Sequence, residues 1–363
     1  MDQKNNFSSL NMSASSGAED LGSVEIVSLV MYSVVVLLGT TGNALVIYVT
    51  AFKMRTTVNS VWFLNLAIAD FVFTFFLIFT IVRTYLRYWP FRDFLCKFNT
   101  LVQVINMFAS IFLLTAISLD RCLATWVVVW AQNKRTPNKA RLICLLIWLL
   151  SLACSLPYAV YREVEYYDGK YICDLIMDEF MYRKLSLFRF LAGFIVPFLV
   201  ITCSYVAIGV RAFRLQKKRK MKPFKVILSV ILAFFFCWLP FHITDLIFAQ
   251  QTVNHYNYPD EFNADLYNLS ANMSRLTVTL GFFNSCLNPI LYVFMCEEFK
   301  NKLRQSVLLV LEHAFAEENL AFITSRYSVG SRHSESNGNI PRKPTLTSLV
   351  QSNERRQSID DDS

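Results

Sequence analysis

Asp120 and Arg121 stand side by side at the end of an apolar run, Ile105–Cys122. An opposite-charge pair at the edge of hydrocarbon is expensive and reads as a functional latch. Within the same run Asn106 and Ser110 are four residues apart, so a helix puts both on one face. Other apolar runs also carry polar residues midway: Asn43, Asp70, and the group Asn284, Ser285 and Asn288. A carboxylate such as Asp70 does not face lipid and needs partners or a cation. Two arrangements meet that need. The oxygens gather a small hard monovalent ion, or they form an interhelical hydrogen-bond network with water.

Basic residues recur at the opposite end of the apolar runs: Arg83, Arg162, Lys170 and Arg189. Arg189, in LSLFRFLAGFIVP, lies eight residues before Pro197. There it either points into a water-filled cavity and seeks an anion, or snorkels to the interface. Nearby links are acidic, with Glu163, Glu165, Asp168, Asp174, Asp178 and Glu179, so some pairing is expected. Enzyme chemistry is not indicated. The four His (His242, His255, His313, His333) lack metal-ligand spacing, and no nucleophile motif or phosphate loop occurs. His242, four residues after Trp238, reads as pocket lining or packing.

These residues need a scaffold suited to lipid. The chain of 363 residues is 54% hydrophobic and only 17% charged, against about 25% charged in soluble domains. Seven apolar runs approach the ~20 residues that cross a bilayer. They are Ile26–Phe52, Ser60–Leu86, Phe94–Val127, Ala140–Tyr161, Leu185–Phe213, Phe224–Phe248 and Leu269–Met295. A backbone in lipid must bond internally, so each is a helix. The fold class is an all-α membrane protein, a seven-transmembrane helix bundle kinked at Pro157, Pro197, Pro240 and Pro289. The N-terminal stretch is polar, and the first run is expected to serve as its own insertion signal.

The net charge of +8 gathers in the links after runs one, three, five and seven, including Lys53, Arg135, Lys217 and Lys300. Positive charge marks the cytoplasmic side, which leaves no case for nucleic-acid binding. The N-terminus is then extracellular. Four sequons, at Asn6, Asn11, Asn268 and Asn272, fall outside as candidate glycosylation sites. Of nine Cys only Cys96 and Cys173 lie at the outer face, where the oxidising exterior permits a disulfide. Residues 1–25 form the extracellular N-terminus and 26–296 the bundle. Residues 297–316 form an amphipathic helix on the inner leaflet, with Phe299, Leu303, Leu308 and Leu311 on one face. Residues 317–363 are a Ser/Thr-rich tail of disordered composition.

Several motifs occur in order. They are Gly42-Asn43, Leu66-Ala67-x-Ala69-Asp70, Cys96/Cys173, Asp120-Arg121, Trp148, Pro197 with Tyr205, Phe234-x-x-Cys237-Trp238-x-Pro240 and Asn288-Pro289-x-x-Tyr292. Together they resemble the rhodopsin-like (class A) G-protein-coupled receptors, over about Ile26 to Phe315. The resemblance implies a plasma-membrane receptor. Arg121 is bound to Asp120 at rest and meets the G protein when active. Phe234 and Trp238 couple the pocket to helix six, and Tyr205 and Tyr292 support the active state. It also implies an allosteric sodium ion at Asp70, Asn106, Ser110, Asn284 and Asn288, and no other cofactor. Cys122, in place of the usual Tyr, is similar to the chemoattractant branch. Within it the chain looks closest to the prostaglandin D type and also resembles the chemerin, formyl peptide and complement anaphylatoxin types.

Amine receptors carry an Asp where this chain has Gln103, so a cationic amine lacks its counter-ion. The resemblance places a ligand among Arg189, Arg162, Lys170, Gln103, Phe241, His242 and Phe282. Phe241 and Leu175 lack hydroxyls found in the prostaglandin D type. The expected function is reception of an anionic, prostaglandin D-like lipid mediator, with a peptide agonist as the alternative. The expected partners are an inhibitory heterotrimeric G protein, which lowers cAMP and drives migration, and arrestin and receptor kinases at the tail. A transporter or channel is disfavoured because no internal repeat is evident.

Overall fold

A computed structural model describes residues 22–214, 221–295 and 299–305 of the chain. The rods follow the apolar runs. They are α1 (Ser23–Tyr48, prolonged by a π-helical turn, Val49–Lys53), α2 (Val58–Leu86), α3 (Asp93–Trp126), the short α4 (Val128–Lys134) and α5 (Pro137–Val160). After a hairpin of β1 (Arg162–Tyr167) and β2 (Lys170–Leu175) come α6 (Glu179–Phe190), α7 (Val196–Arg214), α8 (Met221–Asn257) and α9 (Ala264–Met295). A π-helical turn, Leu191–Ile195, joins α6 to α7 into one rod.

Among the described residues six rods contain a stretch long and apolar enough to cross a membrane, and the α6–α7 rod is one of them. The seventh is α9, whose first turns are polar and which packs along α8 and α1. Large apolar side chains such as Leu37, Phe75, Leu145, Leu149 and Phe236 lie exposed on the rods. That suits lipid as solvent, where exposure of a Leu costs nothing. Inside, α3 packs against α2, α5 and α7. Aromatic and aliphatic side chains fill the space between, with Phe108, Phe194, Phe234, Trp238 and Phe241 in one buried cluster.

Three features go beyond the sequence expectations. The segment after α5 is an antiparallel hairpin, with Val164 opposite Cys173. Its turn is Asp168-Gly169, both with positive φ (46° and 79°), a pairing typical of tight hairpins. Second, helices overrun the apolar stretches. α6 starts at Glu179 rather than Leu185, and α9 at Ala264 rather than Leu269. Once a turn exists, adding polar residues to it is cheap, and Asp178 caps α6 by accepting from the Met181 amide at 2.8 Å. Third, Pro197 sits in the first turn of α7, just past the π-helical turn, while Pro157, Pro240 and Pro289 lie inside helices.

The Cys96–Cys173 disulfide forms, tying the hairpin to the start of α3. Of the expected amphipathic helix, residues 299–305 are helical, and Phe299 is buried against Val46, Val58 and Phe63. The rest of that segment, the tail, and the sequons Asn6 and Asn11 lie outside the described residues. Asn268 and Asn272 are exposed in the first turns of α9.

Candidate ligand and switch sites

Asp70 is wholly buried in α2, and α3 and α9 bring its partners. Ser110 donates to Oδ1 at 3.2 Å, and the Asn288 amide to Oδ2 at 2.6 Å. With its amide nitrogen turned toward Asp70, Asn106 donates to Oδ1 at 3.2 Å and accepts from the Ser285 hydroxyl at 3.3 Å. The four-residue spacing of Asn106 and Ser110 thus works as expected. Asn284 is buried but makes no hydrogen bond to this cluster among the described residues, and Ser285 takes that place. Asn43 locks α1 to α9 by donating to the Ser285 carbonyl at 3.0 Å. A carboxylate among neutral hydroxyl and amide oxygens is a donor set suited to a hard cation. Asp70 and the hydroxyls of Ser110 and Ser285 would hold it, with Asn106 turning its amide oxygen back toward Ser110, and such an ion would neutralise the buried charge.

Arg189 does not stand open to an anion. Its guanidinium meets the carboxylate of Asp245 on α8 at 2.5 Å, and both side chains are largely buried. Tyr182 donates to the other Asp245 oxygen at 3.0 Å. The rings of Phe241 and Tyr158 lie 4.9 and 5.6 Å from the guanidinium. The sequence expectation of a basic side chain seeking an anion is met by one of the protein's own. Asp245, in HITDLIF, was missed because a single Asp carries no periodic signature. His242, one turn before it, is buried among Phe190, Phe194, Trp238 and Phe241, with neither ring nitrogen hydrogen-bonded among the described residues.

The other expected ligand residues are spread out. Arg162 bonds Thr100 at 3.1 Å and Asp174 at 3.4 Å. Burial, with Arg83 nearby, pulls its guanidinium down to about 10, so it stays charged at neutral pH. Lys170 is exposed at the hairpin tip. Gln103 donates to Thr80 at 2.8 Å. Phe282 packs edge-on to Phe73 at 4.8 Å, on the side of α1 and α2 and away from the Phe241 cluster.

At the inner end Asp120 is held by Arg135. Arg135 donates to both carboxylate oxygens, at 2.8 and 2.7 Å, and to Asn59 at 2.6 Å. Arg135 is the C-cap residue that ends α4, so the short helix brings it back to the inner end of α3. Tyr205 of α7 is buried. Trp238 packs so tightly on α9 that a Cβ at Gly281 would lie 2.8 Å from its ring. Phe234 meets Phe194 at 5.6 Å. The side chain of Tyr292 lies outside the described set.

Residues 42–292 match the family described as 7 transmembrane receptor (rhodopsin family). The chain belongs to the rhodopsin-like family of seven-transmembrane receptors. It is similar to the C3a anaphylatoxin chemotactic receptor of Danio rerio, 39% identical over 84% of this chain and 82% of that one. Chemerin-like receptor 1 of Homo sapiens is 38% identical over 83% and 84% of the two chains. C5a anaphylatoxin chemotactic receptor 1 of Gorilla gorilla gorilla is 34% identical over 82% and 83%. The receptor is therefore of the chemoattractant branch, a multi-pass plasma-membrane protein that couples to G protein, and not an enzyme.

Proposed function

We propose that this receptor binds a peptide or protein chemoattractant and signals through an inhibitory heterotrimeric G protein, lowering cAMP. The observation that carries this reading is identity of 34–39% over more than four fifths of the chain to receptors named for C3a, chemerin and C5a. The prostaglandin-like lipid ligand, expected from the outer basic residues, has no such support. The Arg189–Asp245 pair weakens it further, because a lone lipid carboxylate would have to displace a resident one.

Agonist energy acts by preferring one of two bundle arrangements. Contacts at the outer ends bear on Phe241 and Trp238, and Trp238 transmits to α9 through Gly281. The inner consequence is release of Asp120 and Arg121 for the G protein. Asp70 and its partners are the element whose charge an allosteric sodium ion would balance. Tail serines and threonines, Ser325, Ser328 and Thr345 among them, would be phosphorylated by receptor kinases and recruit arrestin. The sequons Asn268 and Asn272 are exposed for glycosylation.

Inhibition of cAMP in cells expressing the receptor, with C3a, C5a, chemerin and prostaglandin D compared side by side, tests the reading. A response to one of the proteins, with silence to the prostaglandin, is expected. A response to the prostaglandin alone would replace the proposed ligand class.

A further inference from the structure

Between α5 and α6 the packing leaves a slot of about 370 Å³. Ala153, Cys154 and Pro157 of α5 form one wall, and Leu185 and Phe188 of α6 the other. Its size falls within the range of small-molecule sites, ~300–1,000 Å³. Beside it the two helices are joined by a hydrogen bond from the Tyr158 hydroxyl to the Leu185 carbonyl, at 2.8 Å. Leu156, Leu187 and Phe188 are exposed apolar side chains on these helices. In a membrane-spanning bundle such a surface meets acyl chains, so the slot is filled from the bilayer rather than from water.

The slot has a charged rim at one end. Lys184 and Phe188 are four residues apart on α6, so they share a helix face. Lys184 thus stands about 6 Å further out than Phe188. It is exposed and makes no ion pair or hydrogen bond among the described residues. Neighbouring cations are engaged: Arg183 donates to Gln250 at 3.1 Å, and Arg162 meets Asp174 at 3.4 Å. None of the five lining residues is charged. An apolar recess below an unengaged ammonium matches an amphiphile with a hydrocarbon chain and an anionic head.

We propose that this slot seats one acyl chain of an outer-leaflet glycerophospholipid whose phosphate lies at Lys184. The surrounding bilayer supplies that molecule, and its headgroups lie at the depth of the outer helix ends, where Lys184 stands. A second copy of the receptor is not the occupant, because five lining residues fall far short of the ~20–30 a side of a stable interface. The seated chain packs on Phe188, whose ring lies 6.0 Å from that of Phe108 in α3. It therefore props α5 and α6 at a fixed separation, in support of the single Tyr158–Leu185 hydrogen bond.

The test uses full-length receptor, delipidated in detergent and titrated with dioleoyl-phosphatidylcholine, dioleoylglycerol or oleate. Bound lipid is counted by native mass spectrometry, and the melting temperature is followed in parallel. The wild type should retain one phosphatidylcholine and melt higher with it. Dioleoylglycerol, with the same chains and no phosphate, should bind more weakly. Lys184→Gln should weaken phosphatidylcholine roughly twofold to fivefold, the range for one exposed ion pair, and leave dioleoylglycerol unchanged. Lys184→Arg should restore phosphatidylcholine binding. Ala153→Phe, which fills the slot from an exposed position, should abolish retention of both lipids. Should that variant not fold, Lys184→Gln decides alone. Equal retention by Ala153→Phe and the wild type would mean surrounding lipid only and overturn the site. Equal binding of phosphatidylcholine and dioleoylglycerol to the wild type would overturn the role of Lys184, as would an unchanged affinity in Lys184→Gln. Tighter binding of oleate than of phosphatidylcholine would give the slot to a free fatty acid and overturn the proposed occupant. In each of these cases the receptor reading stands.

Discussion

Arg189 and Asp245 show how one contact changes the meaning of a residue. Read alone, an Arg within an apolar run is a binding group; closed on Asp245 it is a strut between α6 and α8. Removing one member of a buried pair leaves the other charged and unmatched, a loss of about 3–5 kcal/mol. Arg189→Gln and Asp245→Asn should therefore each lower the melting temperature of purified receptor. The double variant should recover much of it, because no orphan charge remains. Additive losses would mean the two side chains do not act as a pair. Loss of agonist response in Arg189→Gln must accordingly be read beside surface expression before it is assigned to ligand contact.

Two elements are held by links that hydropathy does not anticipate. The hairpin is tied to α3 by Cys96–Cys173, which closes a separation of 77 residues. Chain entropy puts such a cross-link at about 4 kcal/mol. Cys96→Ser should lower surface expression and melting temperature, and mild reduction of the wild type should reproduce the effect on melting. At the inner end, α3 is fastened through Asp120 to Arg135 and Asn59. Arg135→Ala should loosen that end and raise ligand-independent G-protein activation, read as basal cAMP inhibition. Unchanged basal activity with normal expression would show that the Arg135 contact does not restrain the switch.

The bundle as a whole balances buried polarity against an apolar surround. Asp70 of α2, with contacts from α3 and α9, is the group through which a cation would stabilise one arrangement of all the rods. A ligand that binds only the folded state adds stability that grows with the logarithm of its concentration. The melting temperature of the wild type should rise when choline chloride is replaced by sodium chloride at fixed ionic strength, and Asp70→Asn should lose that difference. An equal rise in the variant would assign the effect to general salt.

The partition of the chain between lipid and water is written locally, in the run lengths of apolar residues. Hence the rods and their order were legible from the residues in sequence. So were the shared face of Asn106 and Ser110 and the one outer Cys pair, because helical spacing and compartment chemistry suffice for both. The hairpin carried a readable mark as well, the Asp168-Gly169 turn, which the apolar pattern obscured. The partner of each buried charge was not legible. Asp120 could meet Arg121 or Arg135, and Arg189 a ligand or Asp245, and the choice depends on how each rod is rotated about its axis and slid against its neighbours. Those rotations are set by side-chain packing summed over residues far apart in the chain. Only the folded bundle shows which arginines are already satisfied, as Arg135 is by Asp120 and Arg189 by Asp245.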